Sequence, residues 1–488
     1  MPNANPGPND RPDVAALARW LMTWLQPSGA IHGYHNHSVW GNHPATLGDR
    51  WCGHSTFAAP LLPALAEIVA ARPEPAALDR LVAAIRFQCS SRQADGEFDH
   101  IGFQIGEQAK RGLVHTVVPA AALCEAVLVA RSHLPTDLVD NVDRVVREVI
   151  RATEDVYGRG ASERTVANQE YIRLAARLLH MQAFDHSEWD DRVRTDLDLL
   201  AKHFHVRGLP DARSVGSLRS MSDADAIEPA EYYGLMIKPL VLAAQRFDRK
   251  AYLDQAMGFA RHVVRSSWTD HRGRRRVHRL WQRITGEWIK TREPMLIAGI
   301  GLTLDAIREL LQTRDDPECR DFLADMDRTY AQSQGPAGMF LAASGWSREQ
   351  DVIPASAWHA HDLLYLTRRL GPPAPEELEP AAHADRRGLA VVLGYTDAWL
   401  ETVDRWALSG MKNMSTLPIH ARKDQPRFGY RLGRWVTGRD LDPDAIIDNP
   451  PVFFRAEDRV VHITGRDDLM ILNASGLAYD GPGRCIEA

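Results

Sequence analysis

Two kinds of helical run alternate along this chain, and that alternation constrains the fold more than any other feature. Residues 12–26 place Val14, Leu17, Ala18, Leu21 and Leu25 on one stripe with polar groups opposite, as in a helix that buries a single face. Residues 55–71, STFAAPLLPALAEIVAA, are apolar nearly all round, which requires burial on every side. The contrast repeats. Leu138, Val142, Val145, Val146 and Val149 form one stripe within 136–157, whereas 165–182 and 230–247 are apolar around most of their circumference. The spacing predicts about twelve helices, at 12–26, 55–71, 76–92, 112–132, 136–157, 165–182, 187–204, 230–247, 250–266, 292–313, 317–333 and 355–370. Odd helices read as outer and even ones as inner.

The connections carry the topology. Even-to-odd links are short (around Pro73 to Pro75, around Pro135, Phe184 to His186, Asp248 to Lys250), while odd-to-even links are long. Consecutive helices are therefore antiparallel, and the long loops gather at one end. Six outer and six inner helices close into a double ring, an (α/α)6 toroid, whose long loops surround the mouth of a central cavity. No clean 34- or 40-residue repeat marks an open solenoid. After the Pro-rich segment 371–380 the pattern changes to short runs, LAVVLGY at 389–395, FGYRLGRWV at 428–436, PVFFRA at 451–456, RVVHITG at 459–465 and DLMILNA at 468–474, which read as strands between turns. The expected organisation is a toroid over 1–370, a linker over 371–387 and a small C-terminal antiparallel β domain over 388–488.

Composition narrows the function. The 488 residues carry 58 Lys and Arg against 64 Asp and Glu, a net charge of -6, which disfavours a generally basic nucleic-acid binder. Five Cys (Cys52, Cys89, Cys124, Cys319, Cys485), widely spaced and without C-x-x-C, indicate neither a disulfide framework nor a zinc knuckle, and suit reduced thiols in a cytosol. The start, MPNANPGPNDRPD, has no basic patch followed by an apolar run, and no later stretch reads as a membrane span, so a cytoplasmic protein is expected. Phosphate-binding loops, dinucleotide fingerprints and the G-x-S-x-G elbow are missing, which removes nucleotide-dependent chemistry and serine hydrolysis.

First turns of inner helices should line the mouth, and here they are unusually polar. Asp49, Arg50, Trp51 and His54 precede the second helix; Lys110, Arg111 and His115 open the fourth; Asn168, Glu170 and Tyr171 the sixth; Glu228, Glu231, Tyr232 and Tyr233 the eighth; Arg292 and Glu293 the tenth; Trp358, His359, His361 and Asp362 the twelfth. Helix dipoles favour acids in first turns, and Glu293-Pro294 looks like capping. Aromatics beside those acids suit stacking on sugar faces. The segment 32–54 gathers His32, His35, His37, His43 and His54 with Tyr34, Trp40 and Trp51, but without H-E-x-x-H or paired Cys it reads as binding a polar substrate, and no metal or other cofactor is expected. In 268–292, Arg272, Arg274, Arg275, Arg276, Arg279, Arg283 and Arg292 interleave with Trp268, Trp281 and Trp288. That pattern fits a solvated β-hairpin, or a flap gripping an anion such as a uronic acid.

The alternating helices, the polar aromatic mouth and the β region behind it resemble carbohydrate-active enzymes of the (α/α)-toroid type. The stretch QCSSRQADGEF at 88–98 also resembles Q-x-x-DG-x-F/W turns between helices of α/α-barrel proteins, isoprenoid cyclases among them, although the Asp-rich motifs of cyclases are absent. Similarity to toroidal glycoside hydrolases implies two carboxylic groups flanking a glycosidic bond, here Glu231 and Asp362 with Glu170 in reserve. Similarity to toroidal polysaccharide lyases implies a neutraliser at Asn168, a base at Tyr232 or Tyr233 and a nearby His115, with Asn168-Gln169 standing where some lyases carry Asn-His. Substrate binding is expected from Asn168, Trp51, His54, Arg292, Trp358, His361 and Trp281. Hydrolysis of an oligo- or polysaccharide containing uronic acids is the leading expectation. Lyase elimination comes next, then sugar epimerase or isoprenoid chemistry or a non-enzymatic scaffold.

Overall fold

The computed structural model describes residues 11–25, 29, 59–92, 96–98, 113–158, 167–203, 232–269, 274–277, 300–334, 340 and 359–378, with strand segments at 205–206, 209–210, 281–284, 287–290, 453–456, 459–463 and 469–473. Its helices are α1 (Val14–Trp24), α2 (Leu61–Ala71), α3 (Pro75–Ser90), α4 (Leu113–Ala130), α5 (Thr136–Tyr157), α6 (Ala167–Phe184), α7 (Asp190–His203), α8 (Tyr233–Phe247), α9 (Lys250–Arg265), α10 (Gly301–Thr313), α11 (Pro317–Ser333) and α12 (His359–Leu370). Each falls on a span predicted from the sequence. The even helices touch in turn, α2 with α4, then α6, α8, α10 and α12, and α12 returns to α2, so the inner ring is closed. Odd helices pack outside it. The fold is an (α/α)6 toroid.

Burial follows the two sequence patterns. In α5 the buried side chains, including Leu138, Val142, Val145, Val146 and Val149, share one face, whereas α6 is buried around nearly its whole circumference. Inner helix α4 and the 3-10 turn that follows it, Arg131–His133, hold the window Thr116–His133, which is long and apolar enough to cross a membrane by composition. This departs from the sequence expectation that no such stretch exists. Here the window lies within the ring, two thirds buried, because an inner helix of a toroid meets the same demand for apolar surface on every side.

Two polar devices hold the segments that flank the ring helices to the ring. Asp13 caps α1 by accepting from the Ala16 amide at 2.9 Å. Its own amide donates to Gln334 Oε1 at 2.6 Å while Gln334 Nε2 donates back to its carbonyl at 2.7 Å, joining the first outer helix to the end of the last. At the other terminus of the ring, residues 371–378, the head of the expected linker, lie against α1 and α3 with Leu378 fully buried, and Arg80 donates to the Leu378 carbonyl at 3.0 Å.

Two outer-to-inner connections share a turn. Arg92 bridges Phe98, and Gln334 bridges Phe340, each Phe fully buried. The first is the 88–98 motif, with Gly96 at φ +89°, a conformation that favours glycine. The Arg-rich segment forms antiparallel hairpins, β3 (Ser267–Thr269) with β4 (Arg275–Val277) and β5 (Trp281–Ile284) with β6 (Glu287–Lys290), after a short pair β1 (His205–Val206) and β2 (Leu209–Pro210). Strands β7 (Phe453–Ala456), β8 (Arg459–Ile463) and β9 (Leu469–Asn473) make a three-stranded antiparallel sheet on the last three predicted runs. The runs at 389–395 and 428–436 lie outside the described residues. Cys89, Cys124 and Cys319 are unpaired and buried, and burial pushes the Cys89 thiol up to about 12.

The ring closes most tightly through two glycines. A Cβ on Gly234 would stand 2.3 Å from the Leu302 carbonyl oxygen, and one on Gly301 would stand 2.4 Å from that of His361. The first turns of α8, α10 and α12 therefore meet backbone against backbone. Gly234→Ala and Gly301→Ala should each lower stability in chemical denaturation by about 1–3 kcal/mol, since backbone cannot yield as a flexible side chain would. A neutral result at both positions would show that this contact does not set the ring's spacing.

Candidate active site

Because consecutive helices are antiparallel, every inner helix starts at the same end of the ring, and its inward stripe can be traced downward from there. A cavity of about 50 Å3 on the axis identifies those stripes. It is lined by Pro60 and Pro63 of the α2 end, Val118, Ala121, Ala122 and Glu125 of α4, Ile172 of α6, Leu235 and Lys238 of α8, Leu302, Asp305 and Ala306 of α10, and His361 and Leu364 of α12. Its upper wall is apolar and its floor is charged. A few water molecules fit, and a sugar ring does not, so the cavity is the bottom of the axial pit rather than a binding chamber.

The floor is one ion network. Lys238 Nζ lies 2.6 Å from both carboxylate oxygens of Glu125. Arg368 reaches Glu125 at 2.8 Å, Asp305 at 2.7 Å and Glu67 at 2.7 Å, and Asp305 also accepts from Arg308 at 2.9 Å. Five inner helices thus contribute to the network, three of them through acids that meet Arg368. Glu67, Glu125 and Asp305 balance Lys238, Arg308 and Arg368. Burial alone would raise Asp305 and Glu125, but the surrounding cations outweigh it and hold both carboxyls below their usual range. Burial raises the neighbouring Glu309, the fourth acid, and the pull of Lys238 and Arg368 does not offset it.

The inward and outward faces of α12 separate residues that adjoin in sequence. His361, Leu364 and Arg368 face the axis, at i, i+3 and i+7. Asp362, Tyr365 and Arg369 face α11. Asp362 Oδ1 accepts from the Gly301 amide at 3.0 Å and from the Tyr330 hydroxyl at 2.5 Å, while Tyr365 and Arg369 donate to Asp327 at 2.6 and 2.9 Å. Burial and the Asp362 charge push the Tyr330 hydroxyl up, so it remains a donor. Asp362, expected as half of a catalytic pair, is instead the anchor of the α10 N-terminus.

Glu170 is turned away in the same manner. It is 2.7 Å from Arg173, whose guanidinium donates to the Gly158 carbonyl at 2.8 Å, and Arg177 one turn on pairs with Asp196 at 2.9 Å and Glu154 at 2.7 Å on the outer helices. Asn168 stands four positions before Ile172, on the inward stripe one turn nearer the mouth, and is buried. Tyr233 packs against α9, edge-on to Phe259 at 5.8 Å and stacked on His262 at 5.2 Å, whereas Tyr232, the N-cap of α8, is three positions before Leu235 and in register with the axis. His115 occupies the α4 position one turn above Val118. Trp281 opens β5 opposite Lys290. Arg274 is buried, and the Arg275 amide donates to Thr329 of α11 at 2.6 Å, so the first hairpin is tied to the outer ring. Trp51, His54, Glu231, Arg292, Trp358 and the histidine-rich segment 32–54 lie outside the described residues.

The network residues Glu67, Glu125, Lys238, Asp305 and Arg368 were not singled out by sequence. A signal existed: Glu67 and Glu125 are lone charges inside the apolar helices LLPALAEIVAA and LVHTVVPAAALCEAVLVA, and Lys238 occupies the same kind of place in GLMIKPLVLAAQ. Asp305→Asn should cost about 3–5 kcal/mol, because Arg368 and Arg308 then keep buried charge without a matching acid. The stability that the lowered Asp305 and Glu125 contribute is complete above about pH 4–5, where their unfolded counterparts are ionised, and is lost as pH falls below it. Acid unfolding of the wild type followed by circular dichroism should begin in that range, and Asp305→Asn should flatten its slope.

Compared with known proteins, the chain matches no family model and no curated protein by sequence. Among solved structures it is similar to a D-mannose isomerase (TM-score 0.50, 11% identity, 73% of this chain and 96% of that one), to the cellobiose 2-epimerase of Spirochaeta thermophila DSM 6192 (0.48, 14%, 73% and 96%) and to a family 76 glycoside hydrolase, a mannosidase, from Bacteroides thetaiotaomicron VPI-5482 (0.47, 12%, 73% and 98%). At such identities the likeness concerns the fold alone.

Proposed function

We propose that the protein is a carbohydrate-active enzyme that moves protons on a sugar bound at the open end of the ring axis, with His361 as an acid–base group and Asn168 and Tyr232 orienting the substrate. The observation that carries this reading is the division of α6 and α12. His361 lines the axial cavity and Asn168 stands one turn before Ile172 on the same stripe, while the carboxylates Glu170 and Asp362 pair with Arg173 and with the Gly301 amide and Tyr330. Imidazole is suited to taking and returning a proton near neutral pH. Six helix N-termini converge on the same end, and their positive ends favour the negative charge that develops when a proton leaves carbon beside a carbonyl or carboxylate. Aldose–ketose isomerisation, epimerisation and uronate elimination share that requirement, and D-mannose isomerase provides a toroid precedent for the first.

Glycosidic hydrolysis of a uronic-acid-containing saccharide is the second reading. It rests on Glu231, four positions before the axial Leu235 in sequence, and on the run of arginines in 272–292, which suits an anionic sugar. The purified full chain should be incubated in deuterium oxide with mannose, glucose, N-acetylglucosamine, glucuronic acid and uronic-acid oligosaccharides, following deuterium at carbon, ultraviolet absorbance and reducing ends together. Deuterium exchange at carbon, lost at least a hundredfold in His361→Asn and retained in the folded fraction of Asp362→Asn, is the expected result. Reducing ends rising without exchange, and sensitive to Glu231→Gln, would replace this reading with hydrolysis.

A further inference from the structure

At the opposite end of the ring, where the short connections lie, a second polar cluster stands outside the axis. Asp143 of α5, His180 in the last turn of α6 and His186 in the α6–α7 connection bring three potential ligand atoms within 4.8 Å of one another. Nε2 of His180 is 2.8 Å from Asp143 Oδ1, and Nε2 of His186 is 3.4 Å from the same oxygen. In a tetrahedral zinc site with bonds of about 2.0–2.1 Å, adjacent ligand atoms are about 3.3 Å apart. The cluster comes close to that geometry with the backbone as it stands.

Its members differ in a way that suits an ion. His180 is fully buried between Phe184 and Trp189, each ring 5.0 Å away, and stacks on His186 at 5.4 Å, so its ring is fixed in place. Asp143 and His186 are only partly buried, with 28% and 32% of their side chains exposed, which gives an ion a route from solvent and leaves one side open.

Arg147 marks the position. Its guanidinium donates to both oxygens of Asp143, at 3.1 and 3.2 Å, and contacts His186 Nε2. Nε2 of His186 thus faces the cluster, where a cation already sits. Arg147 also has somewhere else to go: its Nε is 3.6 Å from Glu188 at the surface.

We propose that Asp143, His180 and His186 bind one divalent late-transition ion, with zinc as the probe, in exchange for the Arg147 guanidinium, which shifts to Glu188. The ion clamps α5 to the α6–α7 corner and keeps one coordination position for water. Nothing in this inference depends on the sugar chemistry at the axis.

The test is calorimetric titration of the full chain, freed of metal by chelator, with zinc chloride, alongside its thermal melting. Wild type should take up zinc saturably and melt several degrees higher. Arg147→Ala, which removes the competing cation, should bind about tenfold more tightly. His186→Gln, at a half-exposed position that tolerates change, should lose one equivalent relative to wild type, which separates this site from the histidines of 32–54. No zinc uptake by either wild type or Arg147→Ala would overturn the proposal, as would unchanged stoichiometry and affinity in His186→Gln.

Discussion

Charge buried on the axis of the ring is the constraint on which the rest of the structure depends. Arg368 is surrounded by Glu67, Glu125 and Asp305, and Lys238 completes the set, so five of the six inner helices contribute to one network. Such a network adds little net stability over a well-packed apolar plug, because desolvation offsets most of the attraction. What it supplies is register. Turning an inner helix by one residue rotates its stripe by about 100° and drives a charge into an apolar wall, at the cost of an unpaired buried ion. The apolar surface of the inner helices alone cannot specify that rotation, since they are apolar nearly all round.

A ring plugged at mid-depth has one useful end. The network closes the floor below an apolar layer, and the inner-helix N-termini lie on the other side of that layer. Residues one turn above the cavity, Asn168 and the positions of His115 and Tyr232, share that end with His361 at its upper wall. Gly234 and Gly301 bring the same first turns close enough that their backbones touch, and the Asp362 bond to the Gly301 amide fixes α12 against α10. The rotation that points Asp362 outward is the one that points His361 inward. On the proposed function, the site and the packing at this helix are two faces of one constraint.

The architecture was legible in the sequence because it is written in periodicity. Stripes at 14–25 and 138–149 against apolar runs at 61–71 and 233–244 separate outer helices from inner ones, and connection length places the open end. Site residues were legible only as a set. Among the described residues, Asn168, Glu170, Tyr171, Tyr233, His359, His361 and Asp362 begin inner helices, but which of them face the axis depends on rotation, and in a helix buried all round hydrophobicity carries no phase. Glu170 and Asp362 therefore looked as available as Asn168 and His361. The phase was present elsewhere: once Glu125, Lys238 and Arg368 are recognised as axial, counting back by threes and fours reaches Val118, Leu235 and His361, and leaves Asp362 on the far side. Asp362 answers to partners distant in sequence, Tyr330 and Gly301, which no local pattern reveals, whereas Glu170 pairs with Arg173 on its own helix.

The central claim is that the axis above the ion network is where substrate meets the protein. Histidine side-chain resonances read this directly. With histidine ring carbons labelled in the full chain and assigned by single substitutions, titration with a mixture of mannose, glucose, N-acetylglucosamine and glucuronic acid should shift the His361 signal in a saturable way and leave His180 and His186, at the other end of the ring, where they were. An unmoved His361 signal at saturating sugar, or a response confined to His180 and His186, would contradict the placement of the site.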